Sequence, residues 1–136
     1  MKAAQEFVND KIQVANVDNW LVTGASKRGW TSWMIGVTQC SNCVNIAGIM
    51  PLVPIMPNLL EGAHIQYQSY GGWTFAFKDY IEAGVMQWLD DDIFTEMFKF
   101  LDPLSYKERL ENMPTYIVLS SDDEFMLFDW TSKYMD

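Results

Sequence analysis

The alternation of hydrophobic and polar residues changes from a strand pattern to a helical pattern near Ser26. Residues 20–22, Trp-Leu-Val, form an apolar run of strand length, and the turn sequence Thr-Gly-Ala follows them. Beyond Ser26, apolar side chains recur at positions i, i+3, i+4 and i+7, which is the spacing of one helix face. These side chains are Trp30, Trp33, Met34 and Val37. The pattern therefore predicts a strand over residues 20–23, a tight turn, and a helix over residues 26–39.

Two later apolar runs have the length of buried strands. They are VNIAGI at residues 44–49 and YIVL at residues 116–119, and runs of this kind are typical of parallel strands that are covered on both faces. Strand, helix and strand in this order form a βαβ unit, whose crossover is right-handed in almost all proteins. Together with an amphipathic helix predicted over residues 2–15, the pattern indicates an α/β fold with a parallel sheet.

A long, aromatic-rich helical block separates the second and third predicted strands. Pro51, Pro54 and Pro57 predict a break in regular structure, and helical periodicity then runs from residue 58 to residue 101. We expect residues 58–101 to form a helical cap insertion over the sheet. Its first helical segment begins at residue 58 and is interrupted at residues 71–72, and the other two lie at residues 73–89 and 92–101. A short helix, with Ser105 as its N-cap, is predicted over residues 105–112.

The composition limits the class of protein. The chain has 136 residues, enough for one domain, and its 49% of hydrophobic residues is typical of a globular protein. The net charge of −9 argues against nucleic acid as a partner, because a phosphate backbone requires a basic surface. No stretch is long and apolar enough for a transmembrane segment. The N-terminus begins in helical periodicity without a signal peptide, so we expect a single domain, residues 1–136, that is truncated relative to a longer protein.

Cys40 and Cys43 lie where the helix predicted after Ser26 ends. A redox-active pair usually lies at a helix N-terminus, where the dipole stabilises a thiolate. A zinc site needs four ligands, and the only other good candidate is the single histidine, His64. We therefore predict structural thiols or a local disulfide at this position, and neither a metal nor a cofactor.

The turn around Ser26 has the sequence context of a nucleophile elbow. In α/β-hydrolases the nucleophilic serine lies on a sharp turn between a strand and a helix, within the pattern G-x-S-x-G. The glycines here are Gly24 and Gly29, so the second one comes one residue later than in that pattern. Ser26 is the candidate nucleophile. The alternative is a serine whose hydroxyl caps the helix that follows.

A series of collinear motifs covers nearly the whole chain. The most specific is VTGASKRGWTSW at residues 22–33. The others are, in order, residues 49–51, 64, 70–71, 73, 79–80, 102–106, 109–110, 113–114, 116–118, 123–125 and 129. The series resembles the PhoPQ-activated pathogenicity-related proteins, including those of the autocrine proliferation repressor type. The resemblance implies a partial α/β-hydrolase-like three-layer fold with a parallel sheet and a helical cap. It also implies a secreted or extracellular protein, and a chain that lacks the first strands and the C-terminal segment of the family.

In an α/β-hydrolase the catalytic residues follow the chain order serine, acid, histidine. Asp123 fits the acid, because it follows the third predicted strand at the edge of the sheet where Ser26 follows the first. The backbone N–H of Lys27 fits one oxyanion donor. His64 precedes the acid and breaks the order, so it is interpreted as a structural or cleft-lining residue. Tyr70 and Trp73 are assigned to the same cleft.

The residues around the proposed nucleophile also have a purely structural interpretation. Lys27 and Arg28 lie at a helix N-terminus, where cations are disfavoured. An ion-pair cluster with Asp123 and Glu124 would explain their position. For His64, the structural interpretation is a histidine hydrogen-bonded to neighbouring polar side chains of its own helix.

Two functions from different classes follow. The first is a truncated serine-hydrolase-like protein, of peptidase or esterase type, with a nucleophile and an acid but no histidine in the required order. Its partner would be a small-molecule or peptide substrate. The alternative is a secreted, non-catalytic signalling or binding protein of the autocrine proliferation repressor type, whose partner would be a cell-surface receptor. The fold alone does not decide between them.

Overall fold

The computed structural model describes residues 1–12, 17–38, 40, 43–54 and 57–132. Within these residues the strands are β1 (Asn19–Ala25) and β2 (Asn45–Leu52). The α-helices are α1 (Lys2–Phe7), α2 (Lys27–Val37), α3 (Leu59–Tyr70), α4 (Lys78–Glu82), α5 (Asp92–Leu101), α6 (Lys107–Leu110) and α7 (Phe128–Ser132). A π turn follows α1 at Val8–Ile12, and 3₁₀ turns lie at Phe75–Phe77, Met86–Trp88 and Pro103–Tyr106.

The centre of the fold is the βαβ unit of β1, α2 and β2. The two strands are parallel neighbours, with Val22 opposite Ile49 and one register shift between Trp20 and Leu21. Parallel strands need a crossover connection, and α2 supplies it. The α/β class and the parallel sheet predicted from the sequence are thus confirmed in this unit.

Pro51 lies inside β2 and does not end it, so the break predicted at this proline is wrong. The strand predicted over residues 116–119 is not formed as a regular strand. In its place a third extended segment, residues 115–118, makes two isolated parallel bridges to β2. Ile49 and Val53 donate their N–H groups to carbonyl oxygens of this part of the chain at 2.9 and 2.7 Å. The donor position between them is Pro51, which has no N–H. The third segment is therefore held to β2 by an interrupted ladder.

The apolar face predicted for α2 packs against the sheet. Trp33 and Val37 are buried, and Trp33 forms a core with the fully buried Ile49 of β2 and with Met113. Val22 of β1 packs against this core. The predicted helix end at residue 39 lies outside the described residues. Hydrophobic burial on one face thus fixes α2 against the two strands, and it places the turn that joins β1 to α2.

Residues 58–101 are largely helical, but the second of the predicted segments is broken. Residues 73–89 contain two 3₁₀ turns and α4, and a break comes at Gly84, whose φ of 67° lies in the left-handed region. α5 begins where the sequence predicts it. The Asp91 carboxylate accepts hydrogen bonds from the N–H groups of Ile93 and Phe94 and so caps this helix.

Asp102 connects the helical block to the rest of the molecule, and it takes the capping role predicted for Ser105. Its carboxylate accepts hydrogen bonds from the N–H groups of Asn58 at 3.0 Å and Leu59 at 3.2 Å, at the start of α3. It also accepts one from Leu104 at 2.9 Å and caps the 3₁₀ turn there. The helix predicted over residues 105–112 is divided into this turn and α6.

The N-terminal helix predicted over residues 2–15 is helical as far as Ile12, first as α1 and then as a π-helix over Val8–Ile12. The predicted residues 13–15 lie outside the described residues. α1 ends at Phe7. The apolar side chains of Phe7 and Ile12 are 60% and 51% exposed, so the described part of the chain covers them only partly. No helix among the described residues has the length and hydrophobicity needed to cross a membrane.

Candidate active site

Ser26 follows β1 directly, in a backbone conformation that L-residues rarely adopt. Its φ is 52° and its ψ is −122°, and such a conformation costs a non-glycine residue about 1–3 kcal/mol. It is held from two sides, because the Ser26 N–H donates to the Leu52 carbonyl at 2.9 Å and the Ser26 carbonyl accepts from the Trp30 N–H at 3.1 Å. A serine on a strained turn between a strand and a helix is the backbone feature of a nucleophile elbow.

Both glycines of this turn are sites of close approach. A Cβ atom at Gly24 would lie 2.6 Å from the carbonyl oxygen and 2.7 Å from the Cβ of Arg28. A Cβ atom at Gly29 would lie 3.0 Å from Pro54. Since Gly24 has no side chain to collide with Arg28, the position two residues after Ser26 does not itself have to be glycine. The sequence G-x-S-x-x-G is thus sterically compatible with the strained turn at Ser26.

The Ser26 hydroxyl does not cap α2. Ser26 occupies the N-cap position, but its side chain accepts no hydrogen bond from the helix N–H groups. The capping serine, which was the structural alternative, is therefore not formed. The Lys27 N–H is the first of the helix and has no acceptor within it. The turn thus presents a hydroxyl and a backbone donor on adjacent residues, as acyl transfer requires.

Asp123 lies in the loop after the third extended segment, at the edge of the sheet where Ser26 follows β1. β2 lies between the two strands that lead to them, so those strands are two sheet spacings, or about 10 Å, apart. The Oδ1 atom of Asp123 accepts hydrogen bonds from the N–H groups of Phe125 at 2.9 Å and Met126 at 2.8 Å. The carboxylate is therefore oriented by its own loop. Asp123 and Ser26 do not hydrogen bond to each other.

The three predicted cleft residues lie in two separate grooves. Tyr70 and Asp123 line an open groove of about 340 Å³, whose wall also carries other carboxylates of residues 122–129. His64 and Trp73 line another groove, of about 370 Å³. Ser26 is not among the residues that line either groove. The structure therefore brings Tyr70 to the candidate acid and keeps His64 and Trp73 apart from it.

The predicted ion-pair cluster beside Ser26 is not formed. Among the described residues the ion pairs are His64–Asp90, Lys78–Glu82 and Lys99–Glu96. Lys27 and Arg28 are exposed and form no ion pair with Asp123 or Glu124. Two cations therefore remain in the first turn of α2, where they add to the positive end of the helix dipole. The field of this helix end favours a negative charge near Ser26.

His64 is engaged through both ring nitrogens, and its partners are not the ones that the sequence suggests. Nδ1 is 2.7 Å from the Leu60 carbonyl oxygen and Nε2 is 2.8 Å from Oδ1 of Asp90. Both partners accept hydrogen bonds, so both nitrogens carry a proton when both bonds are made. Asp90 was not identified from the sequence, because it is 26 residues away along the chain. His64 thus serves the contact between α3 and Asp90, and it makes no hydrogen bond to Ser26.

The protonation of His64 should depend on Asp90. The Leu60 carbonyl and the Asp90 carboxylate raise the pKa of His64 above its ordinary value of 6.5, although partial burial lowers it. Since the folded pKa is raised, this stabilisation is fully present below the ordinary pKa and is lost as the pH rises through the folded pKa. We expect the His64 ring signals in an NMR titration to have a midpoint above that of an unfolded histidine.

Replacing Asp90 with asparagine should lower the titration midpoint of His64. The matched control is Asp92→Asn, two residues further along, which should leave the midpoint unchanged. An Asp90→Asn variant that titrates as the unmodified chain does would show that the carboxylate has no influence on His64.

Cys40 and Cys43 form a disulfide with their Cα atoms 5.2 Å apart. The local bridge was one of the two predicted alternatives, and it is the one formed. The pair lies between α2 and β2, at the opposite end of the sheet from the Ser26 turn. Within the described part of the chain, no group of three or more histidine, cysteine or acidic residues is arranged to hold a metal ion.

Comparison with known proteins agrees with the motifs around Ser26. The sequence model of the family described as PhoPQ-activated pathogenicity-related protein matches residues 1–136. The chain belongs to this family. The PhoPQ-related family resemblance inferred from residues 22–33 and the later motifs is therefore confirmed.

A curated relative of this PhoPQ-related chain is the autocrine proliferation repressor protein A of Dictyostelium discoideum. It is 41% identical over 129 residues, which are 95% of this chain and 25% of the relative. The chain thus spans about a quarter of the length of that protein. No solved structure matches the chain.

Proposed function

We propose that this chain carries the nucleophile and the acid of a serine hydrolase, of peptidase or esterase type. In this proposal residues 1–136 belong to a larger α/β-hydrolase-like domain, and residues 58–101 are its helical cap. The Ser26 oxygen bonds to the carbonyl carbon of a small ester or peptide substrate, and the Lys27 N–H stabilises the oxyanion. A histidine oriented by Asp123 takes the serine proton and then passes it to the leaving group.

The observation that carries this proposal is the conformation of Ser26. Its φ of 52° is strained, and its hydroxyl makes no capping bond to α2. A serine whose only task was to start a helix would adopt an extended backbone and cap that helix. Backbone strain persists where the surrounding structure maintains it, and it is concentrated at functional sites. Ser26 has both the strain and the unengaged hydroxyl of a nucleophile.

The histidine of the proposed triad is not His64, because both of its ring nitrogens have other partners. The Dictyostelium relative is about four times as long as the matched region, since that region is 25% of it. In the proposed domain, the base comes from a part of the longer protein that follows the acid, in the order serine, acid, histidine.

A fluorophosphonate probe tests the proposed function. We expect it to label a full-length family member at the serine that aligns with Ser26, and alanine at that position should abolish the labelling. In the 136-residue chain, labelling of Ser26 should be about 10³-fold slower or more, because one member of the triad is missing. Added imidazole should restore part of that rate by acting as a free base.

The control is an established serine hydrolase in the same reaction mixture, which confirms that the probe is active. A folded, full-length family member that stays unlabelled at this serine while the control is labelled would rule out the hydrolase.

The second candidate is a secreted, non-catalytic signalling protein that binds a cell-surface receptor. It is favoured by the engagement of His64 elsewhere, which leaves no histidine for Ser26 among the described residues, and by the name of the relative, an autocrine proliferation repressor. For this candidate the serine-to-alanine variant of a full-length member should retain full signalling activity. For the hydrolase, any activity that depends on catalysis should be lost.

A further inference from the structure

Gln66 is a fully buried polar residue of α3 whose side chain reaches the loop that carries Asp123. Its Nε2 atom donates to the Phe125 carbonyl at 2.8 Å and to the Glu124 carbonyl at 3.3 Å. The loop residues that donate to the Asp123 carboxylate are Phe125 and Met126. The same short turn is therefore held by Asp123 from within the loop and by Gln66 from α3.

Hydrogen bonding alone does not account for a glutamine at this position. The Oε1 atom of Gln66 is buried and has no hydrogen-bond partner. A buried acceptor without a partner costs about as much as two neutral hydrogen bonds contribute. An apolar side chain of the same shape would avoid this cost, but it would leave the Glu124 and Phe125 carbonyls without their donor. The effect that only the glutamine can have is to fix where the two carbonyl groups lie.

The other end of α3 is fixed near the helix that follows Ser26. The Asp102 carboxylate binds the first N–H groups of α3, and the preceding residue, Leu101, accepts a hydrogen bond from the Trp30 indole of α2 at 2.8 Å. α3 has 12 residues and is about 18 Å long. α3 therefore connects α2, the helix that follows Ser26, to the loop that contains Asp123.

An aromatic contact supports the same end of the loop. The rings of Phe77 and Phe125 meet edge to face with their centroids 4.9 Å apart. Phe77 is 6% exposed, so this contact is buried. The loop is thus packed against the cap on an apolar side, while Gln66 supplies the polar contacts that determine its orientation.

We propose that Gln66 is a positioning residue, which holds the Asp123 loop at the distance from Ser26 at which one histidine can bridge the two. This inference rests on the proposed function, because Asp123 is the acid of that proposal. Gln66 acts through Asp123 and does not touch the substrate.

The test uses the 136-residue chain with Gln66→Met, which keeps the shape of the side chain and removes the donor. The matched control is Gln68→Met, an exposed glutamine two residues along the same helix. In the first measurement, amide hydrogen exchange of Phe125 and Met126 is followed. We expect Gln66→Met to accelerate it about tenfold or more, while the Ser32 amide of α2 keeps its rate. Gln68→Met should leave all of these rates unchanged.

In the second measurement, the rate of fluorophosphonate labelling at Ser26 is determined with and without imidazole. Gln66→Met should reduce the imidazole-dependent rate about tenfold and leave the rate without imidazole unchanged. In an Asp123→Asn background, Gln66→Met should have no further effect, because the two residues act in one chain of contacts.

Equal imidazole-dependent rates for Gln66→Met and the unmodified chain would overturn the proposal. The proposal would also be overturned if Gln66→Met reduced the imidazole-dependent rate equally in the unmodified chain and in the Asp123→Asn variant. Gln66 would then act on the general stability of the chain and not through Asp123. If a full-length family member is labelled but this chain is not labelled even with imidazole, the positioning role is rejected while the proposed function stands. If neither is labelled, both fail together.

Discussion

We expect Gly24→Ala to lower the free energy of unfolding by about 3 kcal/mol. The added Cβ would lie 2.6 Å from the carbonyl oxygen of Arg28, well inside van der Waals contact. That oxygen belongs to the backbone of the first turn of α2, so no side-chain rotation can remove the overlap. α2 cannot move away as a unit, because Trp33 packs in the core against Ile49. Urea-induced unfolding measures the loss.

The matched control for Gly24→Ala is Gly72→Ala. A Cβ at Gly72 would have no atom within 4 Å, and its backbone is outside the left-handed region. This variant should change the free energy of unfolding by less than about 1 kcal/mol, with a small gain from the reduced entropy of the unfolded chain. If the two variants were equally stable, the Cβ atom of an alanine at position 24 would not collide with Arg28, and this turn would not require a glycine there.

We expect Gly62→Ala to destabilise the chain by about 3 kcal/mol, although helix propensity alone favours alanine by about 1 kcal/mol. A Cβ at Gly62 would lie 1.8 Å from Cε2 of Trp130. The indole would have to leave its site, where it is 2% exposed and donates a hydrogen bond to the Pro57 carbonyl at 2.7 Å. Loss of a buried tryptophan costs about 3–5 kcal/mol, which exceeds the gain in propensity.

A Trp130→Ala background separates these two contributions. Without the indole, Gly62→Ala has nothing to displace, so it should stabilise the chain by about 1 kcal/mol through helix propensity. The sign of the effect should therefore reverse between the two backgrounds, as measured by thermal or urea unfolding. If Gly62→Ala destabilised the chain equally in both, Trp130 would not be the residue with which it collides.

The spacing of apolar residues over short stretches of the chain was sufficient to predict the βαβ unit at the centre of the fold. The apolar spacing after Ser26 predicts α2, because the same side chains that create the pattern, such as Trp33 and Val37, are the ones that the sheet buries. Asp91 and the start of α5 follow from the local preference of a carboxylate for helix N–H groups. Patterns of this kind depend only on residues that are close together in the chain, so they can be recognised in a single sequence.

The parts that the sequence did not predict depend on residues that are far apart in the chain. The pairing of His64 with Asp90 and the contact from Gln66 to the Asp123 loop depend on how residues 58–101 fold in three dimensions. A glutamine in a helix is usually exposed, and no local pattern marks one that is buried. For the candidate site, the sequence predicted that a serine lies on the turn between the first strand and the helix that follows it. The strained φ of Ser26 and its uncapped hydroxyl became visible only in three dimensions.

Pro51 has a consequence for the order in which the chain folds. β1, α2 and β2 are consecutive in the chain, so they can associate after a short loop has closed. The hydrogen-bond ladder between β1 and β2 is continuous apart from one register shift. The third segment pairs with β2 only after residues 58–101 have been folded between them in the chain, and the ladder that it joins lacks the N–H of Pro51. Distant contacts that contribute few hydrogen bonds form slowly. We therefore expect the βαβ unit that contains Ser26 to fold first, and the strand that leads to Asp123 to dock last, so that the two halves of the candidate site are assembled in separate steps.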